Sequence, residues 1–301
     1  MSLARRVVPG STYLISRRMF DRMFLLRPDD FIVQTFFYLL ALAAAECGIL
    51  LHGFVCISNH YHLVLTDPAG VLPLFMERLN GLLARAVNAY RGRWEYCFSP
   101  GSYGMVRLGS PEDVLDKLIY TLTNPVSAGL VRRAADWAGA SSVGWRFGQS
   151  REFCRPTGHF FDPRGRLPEK VTLTLAPLPG FEGVPAGAMD ELVRQRVAAR
   201  EEEIQAEFRA AGRAFLGMER VMHFDPEDRP RTHEPRRGLN PRVAGKDTAV
   251  RVEGIRTWEG FLQEYRLAWR GWRDGDHGVV FPHGTWLMRV RHRAACHPAP
   301  S

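Results

Sequence analysis

Two histidines, His60 and His62, lie one residue apart in the segment ISNHYHLVLTD (57–67). The apolar, partly β-branched run that follows them, with the turn-forming pair Ser58-Asn59 in front, predicts a β-strand. Residues two apart on a strand point to the same face, so the two imidazoles should lie side by side. Two neutral imidazoles in that arrangement can share a divalent metal ion. The alternative is a histidine pair that satisfies its hydrogen bonds at a strand end.

A metal site needs a third donor, and the segment LIYTLTNPVSAGLV (118–131) offers one. Tyr120 and Asn124 are four residues apart on a predicted helix, so they share a face. A phenol next to an amide would combine a nucleophile with a metal ligand. The alternative is that Tyr120 is a core residue and that Asn124 only ends a helix before Pro125.

Three other classes of enzyme with a His-x-His pair fit this sequence poorly. A cupin would have a glutamate a few residues downstream, where this chain continues Leu-Val-Leu-Thr-Asp. A histidine-triad hydrolase would have a third histidine at the position of Val64. A two-histidine phosphodiesterase would have separate His-x-Thr/Ser motifs.

Hydrophobic patterns predict the elements that must position these residues. Strands are expected at 11–18, 49–58, 60–67 and 103–108, and helices at 30–46, 72–94 and from Ser110 to about Asn124. The order β-α-β-β-α-β followed by a helix is typical of a ferredoxin-like fold, an antiparallel sheet with helices on one face. We therefore expect an α+β domain at 1–145 with an added helix that carries Tyr120.

The remaining residues, 146–301, are expected to form a mostly helical C-terminal extension. Its predicted parts are a strand at 170–175, a long amphipathic helix at 190–217, a basic and mostly disordered linker at 224–246, and a short helix at 257–270.

Composition narrows the class of protein. Five cysteines without a CxxC pair argue against a disulfide framework and against a cysteine-built zinc site. No run of 18 or more uncharged apolar residues occurs, so we expect no membrane span and a cytoplasmic, nucleoid-associated protein. The formal charge is +8, and arginine greatly outnumbers lysine, which suits phosphate contacts. A GC-rich genome would give the same arginine excess whatever the function.

The two motifs together resemble those of the single-tyrosine HUH transposases, and more closely the REP-associated tyrosine transposases and their insertion-sequence relatives. The resemblance covers roughly residues 10 to 145 and implies a ferredoxin-like nuclease domain. It implies that His60, His62 and Asn124 hold a divalent metal ion and that Tyr120 is the nucleophile. Nitrogen ligands favour Mn²⁺, whereas Mg²⁺ is expected in cells. Tyr61 stands where the family has an aliphatic residue, and its side chain is expected to face away from the metal.

The resemblance also implies a reaction and a partner. Single-stranded DNA, expected to contain hairpins, would be cleaved and rejoined through a 5′-phosphotyrosine, and a homodimer is an open option. No ATP is required, and no GxxxxGK[ST] loop occurs. A basic groove with aromatic residues usually holds a single strand, so the candidate DNA contacts are Arg17, Arg18, Arg91, Arg93 and Trp94. The basic residues of 228–246 would add unspecific attraction.

Two other functions remain open. A domesticated protein that holds DNA hairpins without cutting them would bind DNA but form no covalent adduct. A metallohydrolase with zinc on His60 and His62 would use water as its nucleophile and would form no protein–substrate bond.

Overall fold

The structure is a computed structural model that describes residues 4–99, 103–231, 243–244 and 248–299. Its N-terminal part contains β1 (Ser11–Arg18), α1 (Asp30–Cys47), β2 (Leu50–Ile57), β3 (His60–Asp67), α2 (Leu72–Arg91), β4 (Gly104–Leu108), α3 (Pro111–Leu122) and α4 (Asn124–Ser127). Its C-terminal part contains β5 (Ser150–Cys154), β6 (Lys170–Thr174), α5 (Ala186–Ala210), α6 (Met218–His223), β7 (Val243–Ala244), α7 (Thr248–Arg273) and α8 (Leu287–His292).

The main sheet has the strand order β2-β3-β1-β4-β7. The first four strands are antiparallel to their neighbours, in the order of a ferredoxin-like fold. The predicted α+β class is therefore confirmed. The fifth strand, β7, was not expected; its two residues pair in parallel with Arg107 and Leu108 of β4.

The two faces of the sheet carry different helices. Phe54 of β2 packs against Phe37 of α1, with 5.8 Å between ring centroids. The preceding residue, Gly53, faces the other way, where an added Cβ would overlap Leu118 Cδ1 of α3. Since neighbouring residues of a strand point to opposite faces, α3 lies across the sheet from α1. Gly53 lets α3 approach the strands closely.

The helix ends follow from the sequence. Gly48 and Gly92 adopt left-handed conformations, with φ of 64° and 66°, just after α1 and α2. Ser110 caps α3 by accepting a hydrogen bond from the backbone N–H of Asp113 at 3.2 Å. Asp67, at the end of β3, accepts hydrogen bonds from two backbone N–H groups at the start of α2. These ends fix the helices relative to the strands.

One helix of the described part, α1, is long and apolar enough to cross a membrane by those two measures alone. It packs between the main sheet and the β5–β6 hairpin, and Phe37 stacks on Phe153 of β5 at 4.8 Å between centroids. Its burial on two sides accounts for the apolar composition.

Several C-terminal elements differ from the prediction. The helix expected at 190–217 ends at Ala210, because Gly212 turns the chain with a φ of 62°. The helix expected at 257–270 is longer and spans Thr248–Arg273. Its first part contains Gly254, which lies directly against the Val243 side chain. The strand expected at 170–175 is confirmed.

The linker expected at 224–246 is only partly described, since 232–242 and 245–247 lie outside the described residues. The part that is described lies against the N-terminal half. The backbone N–H of Phe24 donates to the Asp228 carbonyl at 2.9 Å, and Arg27 donates to the Phe224 carbonyl at 2.8 Å. The expectation of disorder is therefore wrong for 224–231.

Candidate active site

His60 and His62 open β3 on the sheet face that α3 covers. Their ring centroids are 4.8 Å apart and their planes are 87° to each other. Tyr61 points to the opposite face, where it packs against Phe36 and donates a hydrogen bond to Asn80 Oδ1 at 2.7 Å. The alternation of the strand thus places both imidazoles on one face and the tyrosine on the other, as the sequence predicts.

Tyr120 of α3 lies next to this pair. Its ring meets the His62 ring edge-on, with 5.4 Å between centroids. The Tyr120 side chain is 44% exposed, whereas His62 is 6% exposed. The ammonium group of Lys117, one turn earlier on the helix, lies 5.8 Å from the Tyr120 ring centroid. The phenol can therefore meet a substrate from solvent while the imidazole beside it stays buried.

Asn124 follows at the start of α4 and is buried near His60. Its Oδ1 atom and His62 Nδ1 are buried without a well-aligned hydrogen bond among the described residues. The Asn124 side chain still raises the pKa of His60, and the backbone of Ile15 raises that of His62, so both groups have polar neighbours. Buried polar atoms without a partner are rare, because each costs about 1–3 kcal/mol in desolvation. Both atoms therefore keep hydrogen-bonding or ligating capacity that a bound group could use.

Electrostatics keeps both imidazoles neutral. Burial, followed by the neighbouring His62 and the positive charge of Arg18, holds the pKa of His60 well below its usual value. Burial and then Arg18 lower the pKa of His62 to about 4. Neutral imidazoles keep a lone pair that can bind a metal ion, which a protonated ring has lost.

Asn59 orients one of these rings. Its Oδ1 lies 2.7 Å from His60 Nδ1, so that nitrogen donates the hydrogen bond and the lone pair stays on Nε2. In the sequence Asn59 looks like a turn residue only. Its position directly before the first histidine is the signal from which this second role could have been inferred.

The donor set fits a divalent ion with open coordination positions. Among the described residues no group of three His, Cys, Asp or Glu side chains could hold a metal ion. His60, His62 and Asn124 supply two imidazoles and one amide oxygen, which leave room for phosphate oxygens and water. The unpartnered His62 Nδ1 and Asn124 Oδ1 fit this arrangement.

A cleft of about 340 Å³ opens above the histidines. Its lining includes the predicted DNA contacts Arg17 and Arg18, and in full consists of Ser16, Arg17, Arg18, His60, His62, Ser99, Tyr103, Gly104 and Tyr120. Tyr103 is a second phenol in the cleft and was not among the predicted site residues. Burial raises the pKa of Tyr103 to about 12, so it is a poorer nucleophile than the exposed Tyr120.

The other predicted DNA contacts lie in different surroundings. The Arg91 side chain is 8% exposed and forms an ion pair with Asp29, so it has a structural role, and its DNA contact stays a prediction. Arg93 is 12% exposed and pairs with Glu227 of the C-terminal part. Trp94 is 97% exposed, on the loop that leads to Ser99 at the cleft. Of these three residues, only Trp94 is open to a ligand.

Comparison with known proteins gives weak similarities. No protein-family model and no curated protein matches the chain. A REP-associated tyrosine transposase, solved bound to a REP hairpin, is 18% identical with a TM-score of 0.40, over 47% of this chain and 82% of that one. A proposed transposase from Deinococcus radiodurans R1 is 23% identical with a TM-score of 0.29, over 35% of this chain and 85% of that one. Both are described as transposases, the class that the sequence motifs resemble.

Proposed function

We propose that this protein is a metal-dependent tyrosine nuclease and transposase that cleaves and rejoins single-stranded DNA. The observation that supports the proposal best is the pairing of an exposed phenol, Tyr120, with the buried, neutral imidazole of His62 at 5.4 Å. The proposed partner is single-stranded DNA with hairpins, on the resemblance of the two motifs. The protein would act in the cytoplasm, on the nucleoid.

The proposed reaction is a transesterification. The Tyr120 oxygen forms a bond to a DNA phosphorus, and the bond from that phosphorus to a 3′ oxygen breaks. The phenol gives up its proton to solvent and the departing 3′ oxygen takes one up, so that no net proton is released. The products are a 5′-phosphotyrosine and a free 3′-OH. Because one ester replaces another, a 3′-OH can reverse the step and join strands without ATP. A free phenol has a pKa near 10 and attacks poorly, so the site must assist it.

Each residue of the site has a proposed part in this reaction. His60, His62 and Asn124 would hold Mg²⁺ or Mn²⁺, which when bound supplies charge that polarises a phosphate. Arg17 and Arg18 line the cleft and would attract the DNA backbone. Tyr120 alone forms the covalent bond.

A denaturing gel tests the proposal. Labelled single-stranded oligonucleotides tiled across the DNA beside the protein's own gene are incubated with the protein and Mn²⁺ or EDTA. We expect a labelled band at protein mass with wild type and Mn²⁺, and no such band with EDTA or with Tyr120→Phe. Tyr103→Phe is the matched control and should keep the band, because its phenol is buried.

The other outcomes distinguish the alternatives. Cleavage without the protein-mass band would mean that water is the nucleophile, as in a metallohydrolase. A native-gel shift shared by wild type and Tyr120→Phe, without cleavage, would mean a DNA-binding protein that does not cut. A band that disappears only in Tyr103→Phe would reassign the nucleophile.

A further inference from the structure

A second groove, of about 670 Å³, lies beside His60. One wall comes from the N-terminal part and includes Arg22 and Asn59, and the other comes from residues 213–231. His60 lines both this groove and the cleft at Tyr120. We call the second groove the extension groove. A chain molecule held at the histidines can therefore continue into the extension groove.

The C-terminal wall is built onto the motif that carries Tyr120. The backbone N–H groups of Leu216 and Gly217 donate to the carbonyls of Gly129 and Leu130, each at 2.9 Å. Phe208 also belongs to a buried apolar cluster that includes Val126 and Val131 of the same motif and Val55 and Ile57 of β2. The wall is thus fixed relative to the site, although the predicted domain boundary at residue 145 lies between them.

The charge of the extension groove is positive. Among the described residues that line it are four arginines, Arg22, Arg213, Arg229 and Arg231, and one carboxylate, that of Asp228. Arg229 also forms an ion pair with Asp21, outside the lining. Arginine side chains are well suited to bind phosphate through their planar fork. An anionic polymer is therefore the ligand that matches this surface.

Apolar side chains lie between the charges. Ile57, Leu130, Leu216 and Val221 line the extension groove together with the arginines. Two aromatic rings also line it, Phe24 and the 36% exposed Phe224, with 5.3 Å between their centroids. The Arg213 guanidinium is supported from behind by the buried Phe208 ring, 4.0 Å from the centroid. Single strands expose base faces that stack on aromatic and guanidinium surfaces, whereas a duplex hides them.

We propose that the extension groove binds single-stranded DNA on one side of the scissile phosphate. The DNA strand would then lie along the cleft at Tyr120 and the extension groove, and the C-terminal part would form one wall of that groove. The inference rests on the proposed function for the position of the scissile phosphate, and its test needs neither metal nor Tyr120.

The test is the affinity of full-length Tyr120→Phe protein for a fluorescent oligo-dT of about thirty nucleotides in EDTA, measured by anisotropy over a range of salt. The groove variant Arg213→Glu/Arg231→Glu is compared with Arg164→Glu/Arg196→Glu, which makes the same charge change at exposed positions outside the groove. We expect the groove variant to raise Kd at least about tenfold and to reduce the salt slope by about 1.4, the value for two lost phosphate contacts. The control should stay within about twofold of the parent. Thermal unfolding checks that both double variants fold. If the groove variant does not fold, the single variant Arg231→Glu is used in its place.

The opposing results are equally clear. Equal weakening by both double variants would overturn the inference, because net charge alone would then explain binding. Tighter binding of a duplex than of oligo-dT would overturn the single-strand assignment. The two proposals can also fail separately. If the gel assay shows no Tyr120 adduct while the groove variant still weakens oligo-dT binding, the proposed reaction is wrong and the groove assignment holds.

Discussion

The Tyr120 ring meets the edge of the His62 ring at 5.4 Å between centroids, although the strand and the helix that carry them are separated by α2 and β4 in sequence. Their meeting depends on how α3 crosses the sheet. Leu118, half a turn before Tyr120, lies on Gly53 of β2, where a side chain would prevent the approach. A glycine that does no chemistry therefore sets the position of the proposed nucleophile.

Gly53→Ala should destabilise the protein and impair the site. The new methyl group would overlap Leu118 Cδ1, so the buried Leu118 side chain must change its rotamer or α3 must shift and carry Tyr120 with it. Overpacking of this kind costs about 1–3 kcal/mol. We expect a loss of that size in the free energy of unfolding from denaturant titration, together with slower adduct formation.

Gly81→Ala is the matched control for that substitution. Gly81 lies in α2, and an added Cβ would meet nothing within 4 Å. Alanine in a helix interior is favoured over glycine by about 0.5–1 kcal/mol, so this variant should be more stable than wild type. If the two variants behave alike, the close approach of α3 at Gly53 is not a constraint.

The buried histidine pair should make stability depend on pH. The pKa of His62 is lowered to about 4 in the folded protein, against an ordinary value near 6.5 in the unfolded chain. The unfolded chain therefore takes up a proton first as pH falls, and stability is lost between pH 6.5 and 4. From His62 alone we expect the free energy of unfolding in EDTA to fall by roughly 2 kcal/mol between pH 7.5 and 5.

The double variant His60→Gln/His62→Gln isolates this effect. It removes both titrating rings, so its free energy of unfolding should change less between pH 7.5 and 5 than that of wild type. Urea titrations at several pH values measure the difference. An equally steep loss in the variant would assign the acid sensitivity to other groups, such as the buried His52, whose pKa is also lowered by burial.

The N-terminal sheet and its helices could be predicted because their signals are local. The alternation of β3 places His60 and His62 on one face, and the helices predicted at 30–46 and 72–94 end within a few residues of those bounds, at Gly48 and Gly92. The ion pairs of Arg91 and Arg93 could not be predicted, since their partners Asp29 and Glu227 are far away in sequence. Nothing in the segment that contains these arginines, YRGRWEYCF (90–98), distinguishes a buried arginine from an exposed one.

The C-terminal part was harder to predict for a related reason. Residues 213–231 have little periodicity, and they are fixed by hydrogen bonds to Gly129 and Leu130 and by packing around Phe208. Those contacts depend on the finished N-terminal fold. Asn59 differs, because its hydrogen bond to His60 could have been inferred from its place directly before that histidine, although a turn role alone was predicted.

Trp94 and Arg91 should respond to alanine substitution in opposite ways. Trp94 is 97% exposed near the cleft, so Trp94→Ala should leave stability unchanged and weaken single-strand binding by about 1–3 kcal/mol through lost base stacking. Arg91→Ala removes one of the two arginines that pair with the buried Asp29 and leaves Arg27 as the other, so it should cost about 1–3 kcal/mol of stability. Oligo-dT affinity and denaturant titration on each variant measure both quantities. Weaker DNA binding by folded Arg91→Ala would support the prediction that Arg91 contacts DNA.

Gly129→Ala should loosen the wall of the extension groove. Gly129 has a φ of 72°, and an added Cβ would lie 2.9 Å from Phe208 Cε1. The left-handed backbone costs an alanine roughly 1 kcal/mol, and the crowding of Phe208 adds about 1–3 kcal/mol.

Gly92→Ala is the control, because Gly92 has a φ of 66° with nothing within 4 Å, so it carries the backbone cost alone. Denaturant titration should show the larger loss for Gly129→Ala, and Phe208→Leu in the same chain should recover part of it. Equal losses in the two glycine variants would mean that Phe208 moves aside freely, and the groove wall would then not be held rigidly at the Tyr120 motif.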